Sequence, residues 1–249
     1  AINLIDKLGY KIVKKSKAFG AFYPDIIDAK FWNFYKSSKE FTMTSVERMY
    51  ALYQSVNYVI DNKIEGDFVE CGVWRGGSAM MIAFILKDKN ITNRKIFLFD
   101  TFEGMPQATN EDEDFAGKQA SEIMEENAGN KNATIWCLAD LADVKANMAK
   151  TGLNPNQIEY VKGMVEDTIP NATDVGSISL LRLDTDWYES THHELVHYFP
   201  KVSKNGVVII DDYGHWKGSR KAVDEYFAEK GIQPLLQRID YTGRLMLKI

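Results

Sequence analysis

The sequence predicts a doubly wound α/β fold, in which helices cover both faces of a mostly parallel sheet. After residue 66, short runs of Val, Ile and Leu alternate with helical patterns, as expected for strands that are buried on both faces. A glycine-rich turn joins the first of these strands to the next helix, and acidic residues stand at most of the strand ends. Ligands of such folds bind beyond the carboxyl ends of the strands, so a functional site is expected there.

The first part of the chain predicts helices. Residues 1–64 are interpreted as an N-terminal helical cap, and residues 65–249 as one compact α/β domain. Thr44 and Ser45, followed by Glu47, are typical of a helix start.

The elements of the main domain follow in order. Strands are expected near residues 67–72, 95–100, 158–163, 177–184 and 206–211. Helices are expected near residues 78–87, 122–127, 138–151, 190–199 and 219–230. The turn signal at 240–243 predicts a final hairpin between residues 232–239 and 244–249.

Composition excludes several classes of protein. Of the 249 residues, 45% are hydrophobic and the formal net charge is −5, which argues against a disordered chain and against a nucleic-acid-binding protein that relies on phosphate contacts. No apolar run is long enough to cross a bilayer, and no secretory signal is evident. Cys71 and Cys137 provide neither a disulfide framework nor a CxxC zinc motif. We therefore expect a cytoplasmic protein with no nucleic-acid or membrane partner.

The glycine turn predicts a nucleotide-type cofactor. Gly72, Gly76 and Gly77 match neither the dinucleotide fingerprint nor the phosphate loop. Glu70 would place an anion beside the ligand, which suits a sulfonium and repels a pyrophosphate. Asp100, at the end of the second strand, is placed to bind ribose hydroxyls. Together these residues favour S-adenosylmethionine over NAD or ATP; the alternative is a packing turn, with Asp100 capping a local turn.

Four aspartates at two strand ends predict a metal site. Asp184 and Asp186 leave one strand on the same side, and Asp211 and Asp212 end the next strand. Because adjacent strands lie about 4.8 Å apart, several of these carboxylates should converge. Oxygen ligands favour Mg²⁺. Two alternatives stay open: Asp186 with Glu189 could cap a helix, and Asp212 could hold the following loop.

Two other patterns have alternative interpretations. His193-Glu194-x-x-His197 matches a zinc-peptidase signature, but its extended form is absent, and a solvated helix face is the favoured interpretation; Glu225 remains open as a third ligand. The acidic stretch 111–114 is interpreted as a solvated loop, or as one that closes over the site.

With these residues identified, the chain resembles the macrocin O-methyltransferase (TylF-like) family of S-adenosylmethionine-dependent sugar O-methyltransferases. The resemblance covers about residues 42–227. It rests on five ordered motifs: TMTSVERMYALY, DFVECGVWRGGS, FDTFEGMP, LLRLDTDWYEST and VVIIDDYGHWKGSRKAVDEY. It implies a Rossmann-like class I methyltransferase fold with a seven-stranded sheet, and S-adenosylmethionine and Mg²⁺ as cofactors.

The resemblance also implies roles for individual residues. Asp184, Asp211 and Asp212 would bind the metal, and Asp186 would be the catalytic base. The implied cofactor-binding residues are Met43, Glu70, Gly72, Ser78, Asp100, Thr101, Phe102 and Gly163.

The implied reaction is methyl transfer to a sugar hydroxyl of a glycosylated natural product or related glycoside, a small-molecule partner. A catechol-type methyltransferase that acts on a phenolic diol is the alternative, and a zinc metallopeptidase is a remote one. Assembly as a homo-oligomer stays open.

Overall fold

A seven-stranded, mostly parallel sheet forms the centre of the protein. The structure is a computed structural model that describes residues 22–131 and 133–249. Within them the strand order is β3-β2-β1-β4-β5-β7-β6. The strands are β1 (Asp67–Cys71), β2 (Ile96–Asp100), β3 (Ile158–Lys162), β4 (Ile178–Leu183), β5 (Val202–Ile210), β6 (Gln237–Arg238) and β7 (Arg244–Leu247). Strands β1 to β5 are parallel, while β7 runs antiparallel to both β5 and β6. The predicted doubly wound fold and its final hairpin are confirmed.

Two helices precede the sheet, and the others lie between its strands. They are α1 (Ala29–Ser38), α2 (Val46–Asp61), α3 (Gly77–Asp88), α4 (Ala120–Glu126), α5 (Leu141–Ala149), α6 (Val165–Thr168), α7 (Tyr188–Tyr198) and α8 (Lys217–Glu229). Helix α5 begins three residues later than predicted, because the Asp140 side chain accepts a hydrogen bond from the Asp143 N–H at 2.7 Å and so caps the helix. Strand β6 is shorter than predicted, and Pro234, which has no N–H to donate to a ladder, precedes it.

Helix α2 begins where the sequence predicts. Ser45 is its N-cap, and its hydroxyl accepts a hydrogen bond from the Arg48 N–H. The described residues divide into two units after residue 33, and α2 packs against α3 within the second unit, residues 34–249. The division after residue 64 stays a prediction, and residues 1–21 of the predicted helical cap lie outside the described residues.

The core explains why the strands are so apolar. Strands β1 and β4 are almost completely buried, and α3 buries Ala79, Met80, Met81 and Ile82 completely. None of the helices in the described ranges has the length and apolarity needed to cross a membrane.

Candidate active site

A cavity of about 460 Å³ opens at the carboxyl ends of the parallel strands, within the size range of small-molecule sites. It is lined by the glycine turn after β1, the loop after β2, the turn after β3 and the acidic ends of β4 and β5. Ten of the predicted site residues line it: Met43, Gly72, Ser78, Asp100, Thr101, Gly163, Asp184, Asp186, Asp211 and Asp212. Glu70 and Phe102 are not among the residues that line it.

Gly72 lets the ends of β1 and β4 approach each other. Its φ is +82°, and a Cβ atom at this position would overlap the backbone carbonyl of Asp184. The Asp184 N–H donates to the Cys71 carbonyl at 2.8 Å, so the sheet ladder continues past the end of β4. A glycine is therefore required here by close backbone approach as well as by φ.

Asp100 fastens the glycine turn to the end of β2. Its Oδ2 accepts hydrogen bonds from the N–H groups of Val73 (2.7 Å) and Trp74 (3.1 Å), and its Oδ1 accepts one from the Phe102 N–H (2.7 Å). Burial raises the pKa of the Asp100 carboxyl, and these three hydrogen bonds oppose that rise. Asp100 thus holds local turns and also faces the cavity; ribose binding stays a prediction.

Two predicted cofactor residues have environments that differ from the expectation. Glu70 is fully buried, and its Oε1 accepts hydrogen bonds from the Ser78 hydroxyl and, at 2.7 Å, from Arg182. Phe102 is also buried, and its ring packs edge-on against Tyr160. The side chain of Glu70 therefore holds Ser78 and Arg182 in place, rather than facing the ligand as the sequence suggested.

Three carboxylates converge at the ends of β4 and β5. One oxygen of each of Asp184, Asp186 and Asp212 lies within 4.8 Å of the others. The Asp186 N–H donates to Asp212 Oδ2 at 3.3 Å, and Asp186 adopts a positive φ of 67°. This backbone conformation is uncommon for a residue other than glycine, and it turns the chain so that Asp186 faces Asp212.

The cluster binds protons more tightly than isolated aspartates do. Desolvation, and then the charge of Asp184, raise the pKa of Asp186 to about 7. Desolvation also raises the pKa of Asp184 and of Asp212 well above the usual range, and in each case the neighbouring carboxylates add to the rise. Like charges in a poorly solvated site are stabilised by protons or by a cation.

Asp211, a predicted metal ligand, is engaged in ion pairs, and its role as a ligand stays a prediction. Its Oδ1 is paired with Arg182 Nη2 at 2.8 Å, and its Oδ2 is paired with Arg48 Nη1. Arg182 also pairs with Asp184 Oδ2 at 2.6 Å. Asp211 therefore lies behind the cluster in an ion-pair network, and Asp186, which was predicted to be the base, stands in the cluster with Asp184 and Asp212.

Sequence reasoning missed the two arginines of this network. Arg182 is fully buried near the carboxyl end of β4 and lies opposite Glu70 of β1 in the sheet register. A charged residue inside the apolar run of β4 was the available signal, because such a residue is almost never buried without a partner. Arg48 gave no such signal, because its partners Asp211 and Asp240 are far away in the sequence.

The alternative role of Asp186 as a helix cap is not observed. Helix α7 begins at Tyr188, and its N-cap residue, Trp187, makes no side-chain capping bond. Instead, Asp112 Oδ1 accepts a hydrogen bond from the Tyr188 N–H at 2.8 Å. Asp112 is fully buried, so the acidic stretch is not simply a solvated loop.

The histidine motif does not assemble a metal site. His193 and His197 lie close together, with ring centroids 4.3 Å apart. Glu194, however, is fully buried and accepts a hydrogen bond from the Thr185 hydroxyl at 2.9 Å. Within residues 22–131 and 133–249, the aspartate cluster is the one group of three or more His, Cys, Asp or Glu side chains that could share an ion.

Known proteins with the same arrangement are O-methyltransferases. Residues 32–248 match the family model described as Macrocin-O-methyltransferase (TylF). The chain is 33% identical to a demethyldecarbamoylnovobiocin O-methyltransferase of Streptomyces niveus over 202 residues, which is 81% of this chain and 73% of the relative. It is 34% identical, with the same coverage, to an 8-demethyl-8-(2,3-dimethoxy-alpha-L-rhamnosyl)-tetracenomycin-C 4'-O-methyltransferase of Streptomyces olivaceus.

A solved structure supports the same assignment. The O-methyltransferase NovP superposes with a TM-score of 0.73 at 32% identity, over 84% of this chain and 82% of that chain. The fold is thus that of a class I O-methyltransferase. Since the family model spans most of the chain, this protein belongs to the macrocin O-methyltransferase (TylF) family and is an O-methyltransferase.

Proposed function

We propose that the protein transfers a methyl group from S-adenosylmethionine to a sugar hydroxyl of a glycosylated small molecule, with Mg²⁺ as cofactor. The observation that carries the proposal is the convergence of Asp184, Asp186 and Asp212 in the cavity that the glycine turn and Asp100 also line. The relatives support a sugar acceptor, because one of them is named for methylation of a rhamnosyl group.

The aspartate cluster fits a hard divalent ion. Its donors are all carboxylate oxygens, and a separation of at most 4.8 Å is close to the spacing of about 4 Å between opposite ligands of one Mg²⁺. We assign the ion to Asp184 and Asp212, with Asp186 beside it. When bound, the ion supplies Lewis acidity that lowers the pKa of an acceptor hydroxyl.

Asp186 is positioned to take the proton of the acceptor hydroxyl. A general base works best when its pKa lies near the operating pH, and the pKa of Asp186 is about 7. The side chain of Trp216 lies beside the Asp186 carboxyl and lowers its pKa, and its ring packs edge-on against Trp187 with centroids 4.9 Å apart. These contacts orient the base before the acceptor arrives.

The other half of the cavity suits the methyl donor. Asp100 presents a carboxylate at the end of β2, where the hydroxyls of an adenosine ribose would bind. Gly163 follows β3, and its N–H donates to the Asp100 carbonyl at 3.0 Å, which closes the cavity on that side. Met43 lies at the rim and is partly exposed. Asp100, Gly163 and Met43 would hold the methyl donor in this half of the cavity, and the donor would supply the methyl group.

The test combines binding and turnover. Calorimetry should show S-adenosylmethionine binding, and a screen of glycosides by mass spectrometry should show methylation that stops when a chelator removes divalent ions. Asp184→Asn should abolish metal-dependent turnover and leave cofactor binding largely intact. Asp186→Asn should lower the rate without loss of the metal. The exposed acid Asp61, which pairs with Lys89, provides the matched control Asp61→Asn.

Two results would contradict the proposal. Full activity of the wild-type protein or of Asp184→Asn in excess chelator would exclude the metal role. Methylation of a phenolic diol and of no glycoside would replace the sugar acceptor by the catechol-type alternative.

A further inference from the structure

The segment that carries Asp186 is a tight three-residue turn. The Trp187 N–H donates to the Thr185 carbonyl, two residues earlier, at 2.7 Å, and Asp186 at the centre has a φ of +67°. A three-residue turn with a positive φ at its centre is rare and strained. Strained backbone persists only where the surrounding structure holds it. The contacts of Thr185 therefore decide where Asp186 lies.

The turn is held by helix α7, and chiefly by Glu194. This residue is the acid of the histidine motif, which the proposed chemistry leaves unused. Its Oε1 accepts a hydrogen bond from the Thr185 hydroxyl at 2.9 Å, and its side chain is fully buried. The Ser190 hydroxyl, also on α7, contacts the Thr185 carbonyl at 3.4 Å. The side chain and the carbonyl of Thr185 are thus both fastened to one helix.

The surroundings of Glu194 are unfavourable for a carboxyl group. Burial raises the pKa of Cys71 and of Tyr198, two residues of the hydrophobic core, and the nearby Glu194 carboxyl adds to both rises. Glu194 Oε2 and the Tyr198 hydroxyl are buried and make no hydrogen bond with any described residue. A buried carboxyl with one unpaired oxygen destabilises a fold. Stability alone therefore gives no reason for a glutamate at this position.

The same surroundings favour the uncharged acid. Burial raises the pKa of Glu194 well above its usual range; the hydrogen bond from Thr185 opposes the rise, and the carboxylates of Glu166, Asp212 and Asp184 add to it. An uncharged Glu194 adds no further negative charge behind the aspartate cluster. Glutamine has the same shape and an acceptor oxygen in the same place, so it is a close mimic of this side chain.

We propose that Glu194 is a positioning residue, which holds the turn at Thr185 so that Asp186 faces Asp212. This inference rests on the proposed function, since that function makes Asp186 the base. The Asp186 N–H donates to Asp212 Oδ2 at 3.3 Å, and a turn that relaxed to a negative φ would redirect this N–H. Glu194 thus costs the fold stability and fixes the base in return, a compromise that is expected at functional sites.

Three variants test the contact in steady-state kinetics. Glu194→Met replaces the carboxyl by an apolar side chain of similar volume, Thr185→Val removes the hydroxyl and keeps the shape, and Glu194→Gln keeps the acceptor oxygen. The Met and Val variants should each lower kcat for methyl transfer about 10- to 100-fold, because displacement of a reacting group by about 1 Å has an effect of this size. KM for S-adenosylmethionine should change less than about twofold, and Glu194→Gln should keep kcat within about threefold. The double variant Thr185→Val/Glu194→Met should be no slower than the slower single variant, since both changes remove one contact.

Amide hydrogen exchange of the unliganded protein reports on the turn without any turnover. The Trp187 N–H forms the hydrogen bond of the turn, so it should exchange about 10-fold faster in Glu194→Met and at the wild-type rate in Glu194→Gln. The Tm of Glu194→Met should equal or exceed that of the wild type, because a buried unpaired oxygen is removed and Thr185, which lines the cavity, can bond water instead. Lower kcat at an undiminished Tm is a result that a merely structural role does not give.

A control on the same helix separates loss of this contact from loss of any buried polar group. Thr191 is fully buried, and its hydroxyl contacts the Ser219 hydroxyl at 3.4 Å and not the turn. Thr191→Val should therefore leave kcat and the exchange of the Trp187 N–H unchanged. The positioning role is overturned if Glu194→Met keeps wild-type kcat and exchange, or if Glu194→Gln loses as much kcat as Glu194→Met. It is also overturned if Glu194→Met has a lowered Tm while Thr185→Val keeps wild-type kcat.

Exchange and turnover together distinguish this inference from the proposed function. Methylation of a glycoside by the wild-type protein, with kcat and exchange unaltered in Glu194→Met, overturns the positioning role and leaves the function intact. Faster exchange in Glu194→Met, with no methyl transfer to any glycoside by the wild-type protein, overturns the function and leaves the hold of Glu194 on the turn intact.

Discussion

Substitution of Gly72 by alanine tests whether close approach of β1 and β4 builds the active site. Gly72 has a φ of +82°, and the added methyl group would overlap the Asp184 carbonyl. Asp184 is one of the two aspartates to which we assign the metal, and its N–H donates a hydrogen bond to the carbonyl of Cys71, the residue before Gly72. The methyl group can be accommodated only if the two strand ends move apart.

The expected cost has two parts. A positive φ costs an alanine about 1–2 kcal/mol, and overpacking in a tight interior costs about 1–3 kcal/mol more. The free energy of unfolding should therefore fall by about 2–5 kcal/mol, and Tm by roughly 5–15 °C for a domain of this size. Movement of Asp184 by about 1 Å should lower kcat/KM about 100-fold.

Gly152 and Gly176 provide matched controls. Gly152 also has a positive φ, +67°, but a Cβ there would meet no atom within 4 Å. Gly152→Ala therefore carries the φ cost alone, and Tm should fall by about 2–6 °C with kcat/KM unchanged. Gly176 has open space and no positive φ, so Gly176→Ala should leave both quantities within error.

Thermal unfolding and steady-state kinetics of the three variants decide the matter. If Gly72→Ala lost no more stability than Gly152→Ala and kept wild-type kcat/KM, strand-end contact would not be what positions Asp184. If Gly72→Ala were unstable but fully active below its Tm, the contact would serve the fold alone.

Three further predictions follow from the charges around the site. Without Mg²⁺, the free energy of unfolding should fall as pH rises from about 4 to 7, because the pKa of Asp186 is about 7 in the folded protein and about 3.9 in the unfolded chain. Thermal unfolding across this range should show a Tm that falls with rising pH. Asp186→Asn should reduce this dependence of Tm on pH. Arg182→Met should destabilise the protein by about 3–5 kcal/mol in urea unfolding, because it leaves Glu70 buried without its cation, and adding Glu70→Gln should recover part of the loss. Asp112→Ala should lower the free energy of unfolding by about 1–2 kcal/mol, because the helix cap is lost, and it should speed proteolysis of the loop at residues 105–119. Equal proteolysis of the variant and the wild type would show that the cap does not hold the loop.

The fold was predictable because its signals are local. Each parallel strand reads as an apolar run that ends in a polar residue, and the residues at those ends, such as Asp100 and Asp184, line the cavity as expected. Boundaries failed where a single side chain decides them, as when Asp140 delays the start of α5. The apolar pattern of a strand and the capping residue of a helix both lie within a few residues of the element that they define.

The division of labour among the acids was not predictable, because it depends on partners that are distant in sequence. Asp211 and Asp212 are neighbours, yet Asp211 is paired with Arg48 and Arg182 while Asp212 faces Asp186. Alternation of side chains along the chain places neighbours on opposite sides, but which side holds the cations is decided by tertiary structure. The capping role of Asp112 was missed for the same reason, because the helix residue that it caps is 76 residues away in the sequence.

The network of charges explains why acids can be gathered at this edge of the sheet. Two guanidinium groups lie among six carboxylates, those of Glu70, Asp184, Asp186, Asp211, Asp212 and Asp240. Arg182 is buried and Arg48 is partly buried at the cavity, and together they compensate carboxylates that are poorly solvated. The remaining negative charge lies on Asp184, Asp186 and Asp212, whose pKa values are raised first by desolvation and then by the charge of the neighbouring carboxylates. A divalent ion held by Asp184 and Asp212 would relieve the same repulsion that protons relieve in its absence, so binding of the proposed metal would be coupled to deprotonation of Asp186.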